Sequence, residues 1–563
     1  MLLGIDVGGT HTDAVAVGFD GVLATAKAVT DHENLLSSVF AVLEKLGERV
    51  DLREAERLNL STTLTTNAIV EGTIEDVGVL VCGGPGIDPG NYRMCRDYHV
   101  LSGATDHRGT SLKDLDPGEL RQAAESCREN GVLTYACVSK FSPRNPKFER
   151  RMAEAVEGQA DMVTMGHEMG GRLNFPRRIA TAYFNAASWR RFNEFAFAVT
   201  RGLEDKGVRC MVNILKADGG TMPLATARKR PVESILSGPA ASVMGLVSMC
   251  DIALDSIILD IGGTTTDIAV FAQGAPLMEN DGIDIGSYPT LVRALMTRSI
   301  GVGGDSAISV LGEEVRVGPR RVGPCMCAGG RQPALMDAFN YLARKTGDDT
   351  HGDVEASVRG IEEFASERSI PAETLAQKAV DAAVARIEQA AREMVAEIND
   401  RPVYTIHELI DGARIVPKKV YVVGGPAKAF RMPLFRAFEL SVEVPRHFAV
   451  ANAVGSALTR TTDEVEVFAD TEKLRMYVPS LGVSKAVEPR YGLEDAKRDA
   501  RRALLKHLRE QGIPVREENL QITHASSFAM VDGMRRVGDT IRVAAQIKPG
   551  ILHRYKNLRG KLC

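Results

Sequence analysis

One motif occurs twice in this chain and constrains the fold more than any other feature. Near the start it reads Asp6-Val-Gly-Gly-Thr-His-Thr-Asp13, and past the middle Asp260-Ile-Gly-Gly-Thr-Thr-Thr-Asp267. The flanks match as well. Leu2-Leu3-Gly4-Ile5 and Ile257-Ile258-Leu259 lead in, while Ala14-Val15-Ala16-Val17 and Ile268-Ala269-Val270-Phe271 lead out. Each copy reads as an apolar strand, a Gly-Gly turn and a returning strand. Gly8-Gly9 and Gly262-Gly263 are expected to supply the φ > 0 positions of a tight hairpin turn. Lacking Cβ atoms, they leave backbone N–H groups open to an anion. Thr10, Thr12, Thr264, Thr265 and Thr266 add hydroxyl donors at the same mouth. Asp6 and Asp260 end their strands, where a carboxylate holds Mg²⁺ through water or orients an attacking oxygen. One such loop is a weak signal. Two near-identical copies point to two similar half-domains facing one nucleotide.

Composition sets the background. The 563 residues are 44% hydrophobic and 25% charged, which is ordinary globular material for several domains. A formal net charge of −4 argues against a general nucleic-acid binder. No apolar run approaches the ~18–20 residues of a membrane span. The start runs straight into a strand without the layout of a secretory leader, so a cytoplasmic location is expected. Nine scattered cysteines (Cys82, Cys95, Cys127, Cys137, Cys210, Cys250, Cys325, Cys327 and Cys563) are no disulfide framework. Cys325-Met-Cys327 lacks the usual zinc spacings, and reduced thiols are expected throughout.

Along the chain, Glu33–Gly47 has helical spacing, and Leu58–Leu60 is a short strand. It runs into Ser61-Thr-Thr-Leu-Thr-Thr-Asn67, which turns helical at Ala68. Either Thr66 or Asn67 caps that helix, or Thr65, Thr66 and Asn67 bind a polar substrate or an anion. A second α/β passage has strands at Val77–Val81, Val132–Val138 and Met162–Met165, the last ending at Gly166-His167-Glu168. His167 and Glu168 read as a polar cluster or an acid/base pair. Arg177–Leu203 is largely helical.

Ser237–Gly245 and the end of Pro445–Leu458 read as small-residue helices suited to a hinge between lobes. The loop Ser299–Ser306 is expected to lead into a helix, and its Gly303-Gly304 is a weak phosphate or ribose signal. It lacks the dinucleotide and P-loop fingerprints. Leu375–Ile398 reads as the longest helix. Val420–Val423 is a buried strand whose Gly424-Gly425 mouth lets backbone approach a flat ligand such as adenosine. From about residue 466 a small α+β tail follows, with strands at Val465–Phe468, Leu520–Ser527 and Thr540–Ile547 and a helix at Leu493–Gln511.

This ordered set resembles the actin/sugar-kinase/Hsp70 ATPase superfamily. Within it the chain is most similar to the hydantoinase/oxoprolinase family, which includes ATP-dependent N-methylhydantoinases, 5-oxoprolinases and nucleotide-binding subunits of acetone-type carboxylases. The residues that carry the narrower likeness are Gly4–Asp13, Thr62–Asn67, Ala217-Asp-Gly-Gly220, Ser237-Gly-Pro-Ala240, Leu259–Ile268 and Gly301–Gly304. Three features depart from the family pattern: His11 where an aromatic residue is usual, Gly424-Gly-Pro-Ala-Lys428 in the late loop, and the tail.

The resemblance implies an α/β fold of two ribonuclease-H-like lobes around a nucleotide cleft, with a small α+β C-terminal domain. The divisions expected are 1–170, 171–465 and 466–563. It implies an ATP- and Mg²⁺-dependent hydrolase, or the ATP-hydrolysing subunit of one, activating a carbonyl or cyclic amide by phosphorylation. Asp6 and Asp260 would orient the metal and acceptor, and Asp13 and Asp267 would buttress the hairpins or reach the metal through water. The two Gly-Gly-Thr loops would hold phosphates, Gly303, Gly304, Gly424 and Gly425 would line the nucleoside, and the substrate would lie by Thr65, Thr66, Asn67 and His167. A second hydantoinase- or carboxylase-type subunit and an oligomer are also implied. The rivals are a small-molecule kinase, an ATPase chaperone or reactivator of a partner enzyme, and an iron–sulfur activator using Cys325 and Cys327.

Overall fold

The two copies of the motif sit in two sheets of the same topology. In the first, Leu2–Val7, His11–Gly18 and Gly21–Val29 run antiparallel, and Arg57–Thr62 and Met211–Leu215 continue parallel to Leu2–Val7. In the second, Ser256–Ile261, Thr266–Ala272 and Ala275–Pro276 run antiparallel, followed by parallel Lys419–Val423 and Ser441–Glu443. Both therefore have the order 3-2-1-4-5 of a ribonuclease-H-like lobe. The register repeats too: Asp6 faces Asp13 as Asp260 faces Asp267. The structure, a computed structural model, describes residues 1–279, 281–400 and 414–552, and Cys563 lies outside them.

Parallel pairing needs crossover connections, and these cover both faces of each sheet. Leu2–Val7 is accordingly apolar on both faces. Leu3, Ile5 and Val7 pack with Val39 and Leu43 of helix Leu35–Gly47 and with Phe192 and Val199 of helix Phe175–Asp205. The opposite face, through Val15, Val17 and Leu215, joins a core shared with Ile258, Phe271 and Tyr421 of the second sheet. Helices Ser237–Met249 and Ala451–Leu458 fill that shared layer. They cross so closely that a Cβ on Gly245 would lie 2.2 Å from the Ala451 carbonyl oxygen. One on Gly455 would lie 2.1 Å from that of Ala241. Only glycine fits either position.

Several expectations change. The first sheet takes strands from both sides of residue 170, because Met211–Leu215 pairs with Arg57–Leu60. Residues 77–165 instead build a separate four-stranded parallel sheet, Val77–Cys82 at its centre beside Thr134–Ser139, with its own core. The helix after Arg57–Thr62 begins at Leu64, not Ala68, so Thr65, Thr66 and Asn67 lie within it. The loop at Ser299–Ser306 leads into strand Ser306–Leu311, not a helix. Among the described residues the longest helix is Phe175–Asp205, at 31 residues, against 28 for Ala372–Asn399. It is buried on several sides by three different clusters.

The tail is a five-stranded antiparallel sheet with helix Leu493–Glu510 packed on one face, and its first strand begins at Glu464. Arg108, from the segment after the parallel sheet's edge, docks it with Nη2 2.9 Å from Asp470 Oδ2 and 2.6 Å from Glu472 Oε2. Cys325 and Cys327 are buried in the second lobe, and Cys82, Cys95, Cys127, Cys137, Cys210, Cys325 and Cys327 form no disulfide. Among the described residues, no helix is long and apolar enough to cross a membrane.

Candidate nucleotide cleft

The two Gly-Gly-Thr turns meet. Each closes on a backbone bond, Gly8 N to His11 O at 3.1 Å and Gly262 N to Thr265 O at 2.9 Å. None of the four glycines has positive φ, contrary to the expectation from turn chemistry. Close approach is what requires glycine at 263. A Cβ on Gly263 would lie 2.7 Å from Asp305 Oδ2 and 3.0 Å from Thr10 Oγ1, so the first turn's threonine sits directly against the second turn. A Cβ on Gly9 would meet nothing within 4 Å, which leaves that backbone open to a ligand.

Strand ends bring four carboxylates to this mouth. Asp6 is 5% exposed, and its Oδ1 is buried without a hydrogen-bond partner. Its carboxyl is pushed up to about 7, mainly by burial; the Ser61 hydroxyl opposes the shift, and the charges of Asp13 and Asp260 add to it. Asp267 also rises to about 7, through burial and then the charge of Asp260. Asp260 rises on burial, against hydrogen bonds from Ser242 and Asn452, and Asp13 rises on burial against its partner Lys27. Carboxylates held together this way resist common ionisation unless a cation joins them. Oxygen donors suit a hard divalent ion that keeps water and phosphate as its remaining ligands. Among the described residues, no three of these four place oxygens within 4.8 Å of one another, so one or two carboxylates at a time are available to such an ion.

Other expected residues are placed differently. Thr12 and Thr266 are fully buried, and their hydroxyls turn inward, Thr12 Oγ1 to Thr30 Oγ1 at 3.0 Å and Thr266 Oγ1 to Val302 O at 2.7 Å. They brace the hairpins from behind. Thr10, Thr264 and Thr265 remain at the mouth.

Gly303 and Gly304 lie on the second turn, with Gly304 N donating to Gly262 O at 3.0 Å and Asp305 N to Gly263 O at 2.6 Å. Gly424 has φ of 95°, and a Cβ there would meet Ile261 O at 2.2 Å and Asp260 Oδ1 at 2.7 Å. Gly425 beside it faces open space.

The proposed substrate group separates. Thr65 is buried, with Oγ1 2.9 Å from Ser234 Oγ, and Thr66 Oγ1 accepts from Leu236 N at 3.1 Å, so both tie their helix to the start of Ser237–Met249. Asn67 bonds back to Thr63. His167 is 2% exposed and pairs with Glu149, not Glu168, at 2.5 Å between Nδ1 and Oε2. Ser139 N and His167 N donate to the same carboxylate, and the buried Arg178 side chain donates to the Ser139 carbonyl. This cluster lies at the end of the parallel sheet.

Three residues escaped sequence reasoning. Asn452 Nδ2 donates to Asp260 Oδ2 at 3.1 Å, and its proximity also opposes the rise of the Asp6 carboxyl, so one side chain acts on both motif copies. Ser242 donates to the same Asp260 oxygen, and Lys27 Nζ lies 3.0 Å from Asp13 Oδ1. Ser242 and Asn452 sit on the two small-residue helices, whose composition advertised packing and concealed these contacts.

A pair of ribonuclease-H-like lobes whose Gly-Gly-Thr turns face each other beside buried aspartates is a two-lobed ATPase-type fold. The comparisons agree. A hydantoinase/oxoprolinase N-terminal region model matches residues 2–159 and a hydantoinase/oxoprolinase model matches 178–465; the chain belongs to that family. It is 27% identical over 381 residues to the caprolactamase subunit alpha of Pseudomonas jessenii, covering 61% of this chain and 54% of that protein. It is 24% identical over 397 residues to the acetophenone carboxylase gamma subunit of Aromatoleum aromaticum, covering 62% and 54%. The nucleotide-free structure of an acetone carboxylase that performs ATP-dependent acetone carboxylation superposes with a TM-score of 0.70 at 16% identity. It covers 98% of this chain and 88% of that one. The chain spans about half the length of these two curated relatives.

Proposed function

We propose that this chain hydrolyses ATP to activate a carbonyl or cyclic amide, as an ATP-dependent hydrolase or as the nucleotide-binding part of a larger enzyme. The observation that carries this reading is the meeting of the two turns, Thr10 against Gly263, beside Asp6 and Asp260, with Asn452 donating to Asp260. Relatives named caprolactamase and acetophenone carboxylase support the substrate class, and their designation as subunits supports a partner chain.

Bound Mg·ATP would supply the phosphoryl group and neutralise the charge that builds up as it moves. The chain's own contribution is positioning. Open backbone at Gly9 and hydroxyls of Thr10, Thr264 and Thr265 would face the phosphates. Asp6 and Asp260 would hold Mg²⁺ with water and phosphate, and Asn452 would keep them in register. Asp13, braced by Lys27, and Asp267 would support each hairpin from the neighbouring strand. Gly425 would admit the nucleoside. Phosphorylating a carbonyl oxygen makes its carbon electrophilic enough for water or a carbon nucleophile to attack.

The test is Mg·ATP turnover by the purified protein, alone and then with hydantoins, 5-oxoproline, lactams and small ketones. Stimulation by one compound, with phosphate released and no phosphorylated product accumulating, supports the proposal. A stable phosphorylated product would replace it with a kinase. ATP binding without stimulation would place the substrate on a partner subunit.

A further inference from the structure

A set of metal-binding donors lies in the separate parallel sheet, outside the nucleotide turns. Strand Tyr98–Val100 forms one edge of that sheet, with His99 level with Leu80 of Val77–Cys82. Asp97 already enters the ladder, its carbonyl accepting from Val79 N at 2.8 Å. Side chains two apart along a strand share a face, so Asp97 and His99 lie on the face where Leu80 packs with helix Pro117–Glu129. Cys127 reaches that face from the last turn of the helix. Gly78 makes room for it, since a Cβ there would lie 3.0 Å from Cys127 Sγ. Among the described residues, Asp97, His99 and Cys127 form the one group of three His, Cys or acidic residues whose donor atoms all lie within 4.8 Å of one another.

Each donor has capacity left for an ion. His99 Nε2 is buried without a hydrogen-bond partner, a state that folded proteins rarely leave unanswered. Burial lowers the imidazole below its ordinary value, which favours the neutral ring that ligates metals. Cys127 is fully buried, and burial pushes its thiol up to about 12, with the charge of Asp97 adding to the rise. Asp97 takes Asn130 Nδ2 on Oδ1 at 2.5 Å and Arg96 Nε on Oδ2 at 3.0 Å. Neither contact closes the carboxylate, which has about four lone-pair sites. The Arg96 side chain is 66% exposed, so its ion pair is weak and gives way to a divalent ion. A ligating carboxylate is ordinarily oriented by an outer hydrogen bond, the part Asn130 would play.

We infer that Asp97, His99 and Cys127 bind one zinc ion, with water as its fourth ligand. Sulfur beside imidazole selects zinc over magnesium or calcium, which take oxygen. Thiolate and carboxylate together cancel the two charges of the ion, and the proton of the thiol leaves to solvent as the ion enters. Tetrahedral bonds of ~2.0–2.3 Å set donors ~3.4–3.6 Å apart, so the three have to close by at most about 1.4 Å, which side-chain rotation supplies. The ion pins a three-residue edge strand to the end of a helix. The segment that follows this strand carries Arg108 to the tail, so the pin also steadies that junction.

The experiment is metal titration of the full chain, stripped with a chelator and kept reduced, in buffer without magnesium or nucleotide. Zinc should bind at about one ion per chain with micromolar or tighter affinity. Cobalt(II) in its place should show the visible bands of a tetrahedral site and a near-ultraviolet sulfur-to-cobalt charge-transfer band. Cys127→Ser should abolish the charge-transfer band, and Cys210→Ser, at a partly buried thiol of the first lobe, should keep it. His99→Ala and Asp97→Asn should each weaken zinc binding about tenfold or more. Zinc should also raise the melting temperature of the wild type and slow hydrogen exchange at Tyr98–Val100, and do neither in the ligand variants. Melting of the metal-free variants establishes which of them fold, and any one folded variant suffices for the comparison. No zinc uptake at about 100 μM, a charge-transfer band that survives Cys127→Ser, or undiminished zinc binding in folded His99→Ala and Asp97→Asn would overturn the assignment. None of these readings uses ATP, so the result is separate from that of the turnover assay.

Discussion

Single residues divide into those that face the cleft and those that hold it. Asp260→Asn keeps the shape and the Ser242 and Asn452 neighbours but removes a charge. Its expected effect is a fall in ATP hydrolysis on the order of 10²–10³-fold with an unchanged melting temperature. An unchanged rate would remove Asp260 from the scheme. Gly9→Ala is a sharper test of the open turn. With nothing within 4 Å of the new Cβ, stability should change by less than about 0.5 kcal/mol. ATP affinity should still drop, as measured by titration, because the methyl enters the space given to phosphate.

Glu149 is a holding residue. Burial favours its neutral form, but the hydrogen bond and charge of His167 and the charge of Arg178 outweigh burial and keep the carboxyl below its ordinary value. A carboxyl lower in the folded chain than in the unfolded one stabilises above the unfolded value, and that contribution fades as pH falls through the folded value. Wild-type stability should therefore decline below pH ~4.3, and the decline should be shallower in Glu149→Gln. At neutral pH that variant should lose about 3–5 kcal/mol in urea unfolding, since it strands buried charge.

Among the elements, the two small-residue helices decide most. They separate and join the sheets at once, and their crossing places backbone against backbone. Gly455→Ala would put a methyl 2.1 Å from the Ala241 carbonyl oxygen. A backbone atom yields less easily than a side chain, so a loss of at least about 1–3 kcal/mol is expected in denaturant unfolding. The same helices carry Ser242 and Asn452 to Asp260, so the spread crossing should also lower turnover. A variant equal to wild type in both would mean the lobes move apart without cost.

At the scale of the molecule, the parallel sheet of residues 77–165 and the tail are attached to each other as well as to the lobes. Asp470 has a side chain only 3% exposed and depends on Arg108 from the other unit. Arg144 adds its guanidinium 4.1 Å over the Phe468 ring. Arg108→Ala should leave Asp470 with only the Glu472 and Lys473 backbone donors and raise hydrogen exchange in strand Glu464–Asp470, while exchange in Leu2–Val7 stays as in wild type. Equal protection in the tail strand would show that the tail docks through its remaining contacts alone.

The motif copies, their flanking strands and the later Gly-Gly strand were legible because their information is local. Alternation of apolar residues makes strands, and a repeated hairpin announces a repeated lobe. The tail was legible for the same reason, through an amphipathic helix and alternating strands. Three things were decided only by tertiary structure. Strand Met211–Leu215 joins the first sheet across an inserted domain, and no local signal records which distant strand accepts it. Gly263 is needed for contact with Asp305 and Thr10, not for φ, because the neighbouring chain arrives from another part of the sequence. His167, read as half of a pair with its neighbour Glu168, found Glu149 on a different element instead. Sequence alone determined which segments repeat and which residues bear charge. Folding decided which of those charges meet, because side-chain partners are set by how sheets and helices stack, and that is a property of the whole chain.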